Sequence, residues 1–342
     1  MIKDAIDKLI EGNSLTEEDA SKAAEAIMSG EATPAQIAGF LVALRIKGES
    51  VNEILGMTKV MREKSIKVNV NQDVIDIVGT GGDGLNTFNI STAASFVTAA
   101  AGARVAKHGN RAASGNMGAA DILESKGIKL ELSAGAVARC IGEIGIGFMF
   151  APAYHPAMRY AGPPRRELGI RTIFNFLGPL TNPASAPYQL LGVAQPDDAT
   201  YDVAEALANV LANLGTKKTW VVRGRDGLDE LTTTNFSEIW EVSEGQVKYF
   251  RIDPREVGLE YSQLSQLQIQ TAEEGIQKFD LALSSASSPE QDIVILNSAA
   301  ALVTIGLAGN LSSGIELSRE VIISGAARDK VAQLAEFTQG IA

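Results

Sequence analysis

The residues of this chain best suited to chemistry fall in a few short segments. Gly79-Thr80-Gly81-Gly82-Asp83-Gly84 follows the β-branched run Val74-Ile75-Asp76-Ile77-Val78 and leads into Thr87-Phe88-Asn89-Ile90-Ser91-Thr92, which opens an alanine-rich helical stretch. Glycines let backbone amides approach an anion without interference from Cβ, and a helix start adds unsatisfied N–H groups at the positive end of a dipole. A glycine loop alone ordinarily marks only a tight strand-to-helix turn. The addition of Asp83, Asn89, Ser91 and Thr92 points to a phosphate or ribose phosphate. The segment is not a Walker loop, since no Gly-Lys-Ser/Thr follows, and it lacks the glycine spacing and ribose acid of a dinucleotide fingerprint.

A second segment, Lys107-His108-Gly109-Asn110-Arg111-Ala112-Ala113-Ser114-Gly115, follows the next strand candidate and runs through Gly118 to Asp121 at a further helix start. Lys and Arg flanking small residues combine fixed positive charge with many donors, which suits a diphosphate. Asp229-Glu230 supplies two adjacent hard oxygen donors. Mg²⁺ typically takes one or two carboxylates plus water and substrate oxygens, although adjacent acids are more often solvated surface charge. The chain has only two histidines, His108 and His155. Both lie in candidate site loops, and their expected role is packing or polar contact with substrate rather than base catalysis.

The elements that must position these residues are readable from spacing. Thr16-x-x-Asp19, Thr33-Pro34-x-Gln36 and Ser50-x-x-Glu53 are helix-start patterns, with Gly30 and Gly48 as stops. Ile37, Phe40, Leu41 and Leu44 follow the helical period, as do Ile54, Leu55, Thr58 and Met61. Residues 1–71 therefore read as a small helical domain. From residue 72 to 342 strand candidates alternate with helices: 74–78, Ala103 to Ala106, Gly147 to Phe150, Tyr188 to Ala194 and Thr219 to Val222, with a clear helix expected over Pro196 to Leu214. The predicted fold class is α/β, a small helical domain plus a large domain whose central, mostly parallel sheet is flanked by helices.

Composition bounds the function. The 342 residues, 45% of them apolar and 21% charged, suit a folded enzyme or binding protein of more than one domain. A formal net charge of −11 opposes broad attraction to nucleic acid or an anionic membrane while leaving room for local phosphate sites. Cys140 is the single cysteine, so no intrachain disulfide, four-cysteine zinc site or Cys-x-x-Cys motif exists. The N-terminus is charged and amphipathic rather than signal-like, and no apolar run reaches the ~20 residues of a membrane span. A cytoplasmic protein with no membrane or nucleic-acid partner is expected.

The glycine and basic loops resemble the signature loops of anthranilate phosphoribosyltransferases, and the resemblance runs in order through the chain. Ala32-Thr33-Pro34-Ala35-Gln36-Ile37-Ala38 is similar to the family's helical domain, and Phe150-Ala151-Pro152 with His155-Pro156-Ala157-Met158-Arg159 to its central loop. Arg165-Arg166-Glu167-Leu168-Gly169-Ile170-Arg171-Thr172, Phe174-Asn175-x-Leu177-Gly178-Pro179-Leu180-x-Asn182-Pro183 and Asp226-Gly227-Leu228-Asp229-Glu230 complete it. The resemblance implies a fold like that of nucleoside phosphorylases and phosphoribosyltransferases, with about 165–185 returning to the helical part.

The resemblance also implies a reaction and its site. The phosphoribosyl group of 5-phosphoribosyl 1-diphosphate would pass to the amine of anthranilate, in tryptophan biosynthesis. The donor would be held by Gly79, Gly82, Asp83, Thr87, Asn89, Ile90, Ser91, Thr92, Lys107, Gly109, Asn110, Arg111, Ala112, Ala113, Ser114, Gly115 and Ala119. Anthranilate would meet Gly79, His108, Asn110, His155 and Arg165, whose fork suits a carboxylate. Mg²⁺ would be held by Ser91, Asp229 and Glu230. No residue is implied as a dedicated acid or base, and a homodimer through the helical domain is implied. Ala119 and Gly115 stand where the family commonly has serine, Pro164 where it has valine, and Arg223 where it often has histidine. The alternatives are a pyrimidine nucleoside phosphorylase-like enzyme, revealed by phosphorolysis of thymidine or uridine, and a nucleic-acid-binding relative of the same fold, revealed by a salt-sensitive gel shift.

Overall fold

The computed structural model describes residues 2–111, 117–197 and 199–341. The chain opens with four helices, α1 (Ile2–Ile10), α2 (Glu17–Met28), α3 (Pro34–Lys47) and α4 (Val51–Lys64). Their starts follow the local chemistry. Thr16 Oγ1 accepts the Asp19 amide at 3.1 Å, while Thr33 with Gln36 and Ser50 with Glu53 form reciprocal capping boxes. A cap of this kind contributes about 1 kcal/mol. All eight residues of the two helical stripes are buried.

The α/β portion then alternates β1 (Ile75–Gly79), α5 (Ile90–Ala100), β2 (Val105–Gly109), α6 (Ala119–Ser125), α7 (Ala134–Arg139) and β3 (Ile146–Phe150). Three short helices follow, α8 (Ala151–Tyr154), α9 (Met158–Leu168) and α10 (Phe174–Leu180), and then β4 (Tyr188–Gly192), α11 (Val203–Asn213) and β5 (Lys218–Gly224). A hairpin, β6 (Ser237–Ser243) and β7 (Gln246–Ile252), precedes α12 (Leu264–Leu267), α13 (Ala272–Ala282), α14 (Pro289–Ile305), α15 (Leu311–Ile323) and α16 (Ala326–Gly340). The seven strands form one sheet in the order β3-β2-β1-β4-β5-β6-β7, parallel through β5 and antiparallel beyond it.

Alternation along the strands separates two cores. Ile75, Ile77, Leu190, Trp220, Val222 and Ile239 face one way, into the layer that holds α5 and α13 to α16. Leu191, Val193, Val221, Trp240 and Val242 face the other, into a cluster shared with α1 to α4, α11 and residues Ile173 to Leu180. The N-terminal helices thus share a hydrophobic core with one face of the sheet.

Two expectations need correction. The helix expected from Pro196 begins at Val203, because Asp202 supplies the cap by accepting the Glu205 amide at 3.1 Å. Gln195 holds the preceding stretch out of the helix by accepting the Val203 amide and donating to the Tyr201 carbonyl. The β6–β7 hairpin was not foreseen. Its turn is Glu244-Gly245, both at positive φ (53° and 74°), a pair that matches the twist of a two-residue hairpin, and its outer strand is largely exposed.

Candidate active site

A cavity of about 870 Å³ opens at the carboxyl ends of β1 and β2 and is walled on its far side by α9 and α10. The chain winds one way from β1 through β2 and β3 and the other way through β4 and β5, and the crevice at such a reversal is where open α/β sheets take ligands. Every predicted site residue among the described ones lines this cavity. Ala112, Ala113, Ser114 and Gly115 lie outside the described residues.

The glycine loop is tied at two points. The Gly81 amide donates to Asp229 Oδ2 at 2.7 Å, and Arg171 Nη1 donates to the Gly82 carbonyl at 2.7 Å. Gly82 sits at φ +74°, and a Cβ there would stand 2.9 Å from Arg171 Nη1. At the following helix start Ser91 presents its amide to Glu230 Oε1 at 3.2 Å, while Ile90 turns its side chain into the core. The Asn89 side chain donates to the Met117 carbonyl, and its Oδ1 and the Thr92 hydroxyl are buried without a partner among the described residues.

The acidic pair is seated by packing. Gly79 and Gly192 are register partners on β1 and β4, and a side chain on either would collide with Asp229. From behind, Asn297 on α14 accepts the Leu231 amide at 3.1 Å and donates to the Leu231 carbonyl at 2.8 Å. Burial, then the Asp83 charge, pushes the Asp229 carboxyl up to about 7. Burial, then Asp229, raises Glu230 well above the usual range, partly offset by Lys107. Among the described residues no group of three or more His, Cys, Asp or Glu side chains is arranged to hold a metal ion unaided. Mutually repelling carboxyls beside the Ser91 hydroxyl nonetheless suit a Mg²⁺ ion that takes its remaining ligands from substrate and water.

On β2, Lys107 is 3% exposed and donates to the Ile77 carbonyl at 2.6 Å and to Ser91 Oγ at 3.3 Å. His108 Nε2 and His155 Nε2 approach to 3.2 Å, and burial holds these rings down at about 3 and about 4. Both are neutral at physiological pH, which suits contact rather than proton transfer. Arg111 pairs with Asp121 at 2.7 Å and Glu124 at 2.6 Å, so one expected anion donor is held by two acids. Asn110 and Gly109 continue the wall, and a Cβ on Gly109 would meet Phe148 and Ala119.

Arg165, in the last turn of α9, lies with its guanidinium carbon 5.0 Å from the Phe174 ring centre. Burial is the only cause that shifts its pKa, downward, and it has no ion pair among the described residues. Of the family departures, Arg223 is held by Gln195, Asp202 and Glu238 away from the cavity lining, and Pro164 is buried within α9. Sequence reading gave no site role to Arg171, Gly192, Asn297, Asp76 or Asn182. Arg171 and Asn182 lay within quoted motifs and Asp76 within the β-branched run, whereas Gly192 and Asn297 act on the acidic turn from distant positions and leave no local signal.

These features define a glycosyl transferase of the two-part kind: residues 3–65 match the family's helical bundle domain and residues 71–328 its a/b domain. The relatives narrow the class. An anthranilate phosphoribosyltransferase of Dehalococcoides mccartyi is 48% identical over 344 aligned residues, covering 100% of this chain and 99% of that protein. The crystal structure of the Thermus thermophilus anthranilate phosphoribosyltransferase superposes with a TM-score of 0.91 at 41% identity, over 98% of this chain and 100% of that one. The Saccharomyces cerevisiae enzyme in complex with PRPP and Mg gives 0.88 at 27% identity, over 99% and 98%. The chain belongs to the anthranilate phosphoribosyltransferase family.

Proposed function

We propose that this chain transfers the phosphoribosyl group of 5-phosphoribosyl 1-diphosphate to the amine of anthranilate, giving N-(5-phosphoribosyl)anthranilate and diphosphate, a step of tryptophan biosynthesis. The observation that carries the reading is the meeting of glycine loop, basic loop, acidic pair and Arg165 in one cavity. Full-length kinship with enzymes of that name supports it.

The anthranilate nitrogen forms a bond to the anomeric carbon as the bond to diphosphate breaks, and the departing diphosphate keeps the electron pair. The new ammonium then loses its proton. An aromatic amine is already neutral at physiological pH, so no side chain need activate it. The backbone of 79–84, the α5 start and Lys107 receive the donor's phosphates, and Arg165 receives the anthranilate carboxylate. His108 and His155 pack the acceptor as neutral rings. Asp229, Glu230 and Ser91 would hold Mg²⁺, which supplies positive charge to the leaving diphosphate. Rate then comes from orienting two substrates and stabilising developing charge.

Consumption of anthranilate fluorescence with donor and Mg²⁺ tests the reading. Phosphorolysis of thymidine or uridine without anthranilate turnover would overturn it.

We further infer two lobes, 1–71 with about 165–185 against the remainder, and pairing of two cytoplasmic copies through α1 and α3, where Ile10 and Ile46 are 72% and 79% exposed. Sedimentation as a monomer at every concentration would end the pairing inference.

A further inference from the structure

The ladder between β1 and β2 stops after one registered pair, Ile75 with Val105, although both strands continue for four more residues. The neighbouring ladders β1–β4 and β2–β3 each run for five pairs. The Ile75 amide donates to the Arg104 carbonyl at 2.9 Å. In a parallel ladder of that register the next two bonds would run from the Ile77 amide to the Ala106 carbonyl and from the His108 amide to the Ile77 carbonyl. No registered pair follows to carry them. Side chains take three of the four positions.

The Asp76 carboxylate receives the His108 amide at 3.1 Å. Lys107 Nζ donates to the Ile77 carbonyl at 2.6 Å. Asn182 Nδ2 donates to the Ala106 carbonyl at 2.8 Å and to Asp76 Oδ2 at 2.7 Å, which locks the acid in place. All three residues are buried. A buried backbone group left without a partner destabilises the fold, so the opening leans on these side chains.

We propose that Asp76, Lys107 and Asn182 form a polar wedge that splays β1 from β2 at their carboxyl ends, setting the distance between the glycine loop and the basic loop. A ladder holds neighbouring strands about 4.8 Å apart. Side chains interposed between backbone groups require more, and the registered pairing stops short of the cavity at the strands' carboxyl ends. Lys107 serves twice, closing the wedge while offering its ammonium beside Ser91. Asp76 is a positioning residue, since it does not line the cavity and acts through the His108 amide and the strand spacing. The inference rests on the reading above that the two loops embrace the donor.

The test uses the full-length protein with Asp76→Asn, which keeps shape but sets a donor against the Asn182 amide, and with Asn182→Ala, which removes only one support of the Ala106 carbonyl. Donor affinity is measured by calorimetry with 5-phosphoribosyl 1-diphosphate, alongside the KM for anthranilate, the melting temperature and amide exchange at His108. Asp76→Asn should weaken the donor about tenfold or more, as small misplacements at a site do. Asn182→Ala should weaken it less, and both should speed exchange at the His108 amide while the anthranilate KM moves far less.

Unchanged donor affinity in either folded variant overturns the wedge. So does an equal loss for both substrates together with a fall in melting temperature, which marks general support of the fold. Lys107→Ala separates the two readings. If it leaves donor affinity intact, the donor site itself is wrong; if it weakens the donor while Asp76→Asn is silent, only the wedge fails.

Discussion

Gly192 and Asp229 touch backbone to backbone: a single Cβ on Gly192 would overlap the Asp229 carbonyl outright. The acidic pair is therefore located by an absence of side chain on β4, opposite Gly79 on β1. Gly192→Ala should displace the Asp229–Glu230 turn and cut turnover about a hundredfold, the scale expected of a misplacement near 1 Å. Titration of metal dependence checks this, with a raised Mg²⁺ requirement expected in a variant that still folds.

Replacing Asp229 and Glu230 together with alanine should abolish the response of turnover to Mg²⁺, and a chelator should do the same to the unaltered protein. Metal dependence unchanged in the folded double variant would remove these carboxylates from the metal site. Because the pair is buried with mutually raised pKa values, the variant should unfold no more easily than the parent.

Gly82→Val places a branched side chain at φ +74° and against the Arg171 guanidinium. Strain of about 1–3 kcal/mol in the loop is expected, with a matching loss of donor affinity and little change in the core. Calorimetry showing parental affinity would reject this loop as the phosphate cradle.

Arg165→Ala should lower kcat/KM for anthranilate about ten- to a hundredfold, the equivalent of about 1.5–3 kcal/mol for a charged hydrogen bond. Arg165→Lys keeps the charge without the planar fork and should fall between. Donor binding should change much less. If only the donor weakens, Arg165 serves the phosphates and the carboxylate has another partner.

The histidine pair makes a prediction about pH. His108 and His155 titrate near 3 and 4 when folded, against about 6.5 unfolded, so between about 4 and 6.5 the unfolded chain binds more protons. Their contribution to stability is complete above 6.5 and is lost as pH falls, by at most about 1.4 kcal/mol per pH unit for each ring. Asp76, pushed up to about 6 by burial, acts in the opposite sense over part of this range. The comparison is therefore between the parent and His155→Gln in urea unfolding at pH 7 and pH 5, where the variant should lose less stability. An identical slope in both proteins would show that His155 is not held neutral by burial.

Much of this molecule was legible because its signals are local. Capping boxes, the 3.6-residue stripes of α3 and α4 and the strand candidates that became β1 to β5 each depend on residues within a few positions of one another. The glycine loop, basic loop, Arg165 and acidic pair announced themselves by residue type and by motifs similar to a known family. The start of α11 and the β6–β7 hairpin were hidden, since the first turned on a Gln195 side chain reaching across eight residues and the second on an exposed strand with little apolar alternation.

Sequence alone singled out residues that line one cavity and determined that helices and parallel strands would present them. Only the tertiary structure decided how they meet. Asp76 and Asn182 are 106 positions apart, Arg171 and Gly82 are 89, and Gly81 and Asp229 are 148. Such pairs leave no periodic trace in the chain, because they exist only once the sheet is assembled and close packing excludes a Cβ at Gly79 and Gly192, while buried carbonyls and amides must find donors and acceptors wherever the fold brings them.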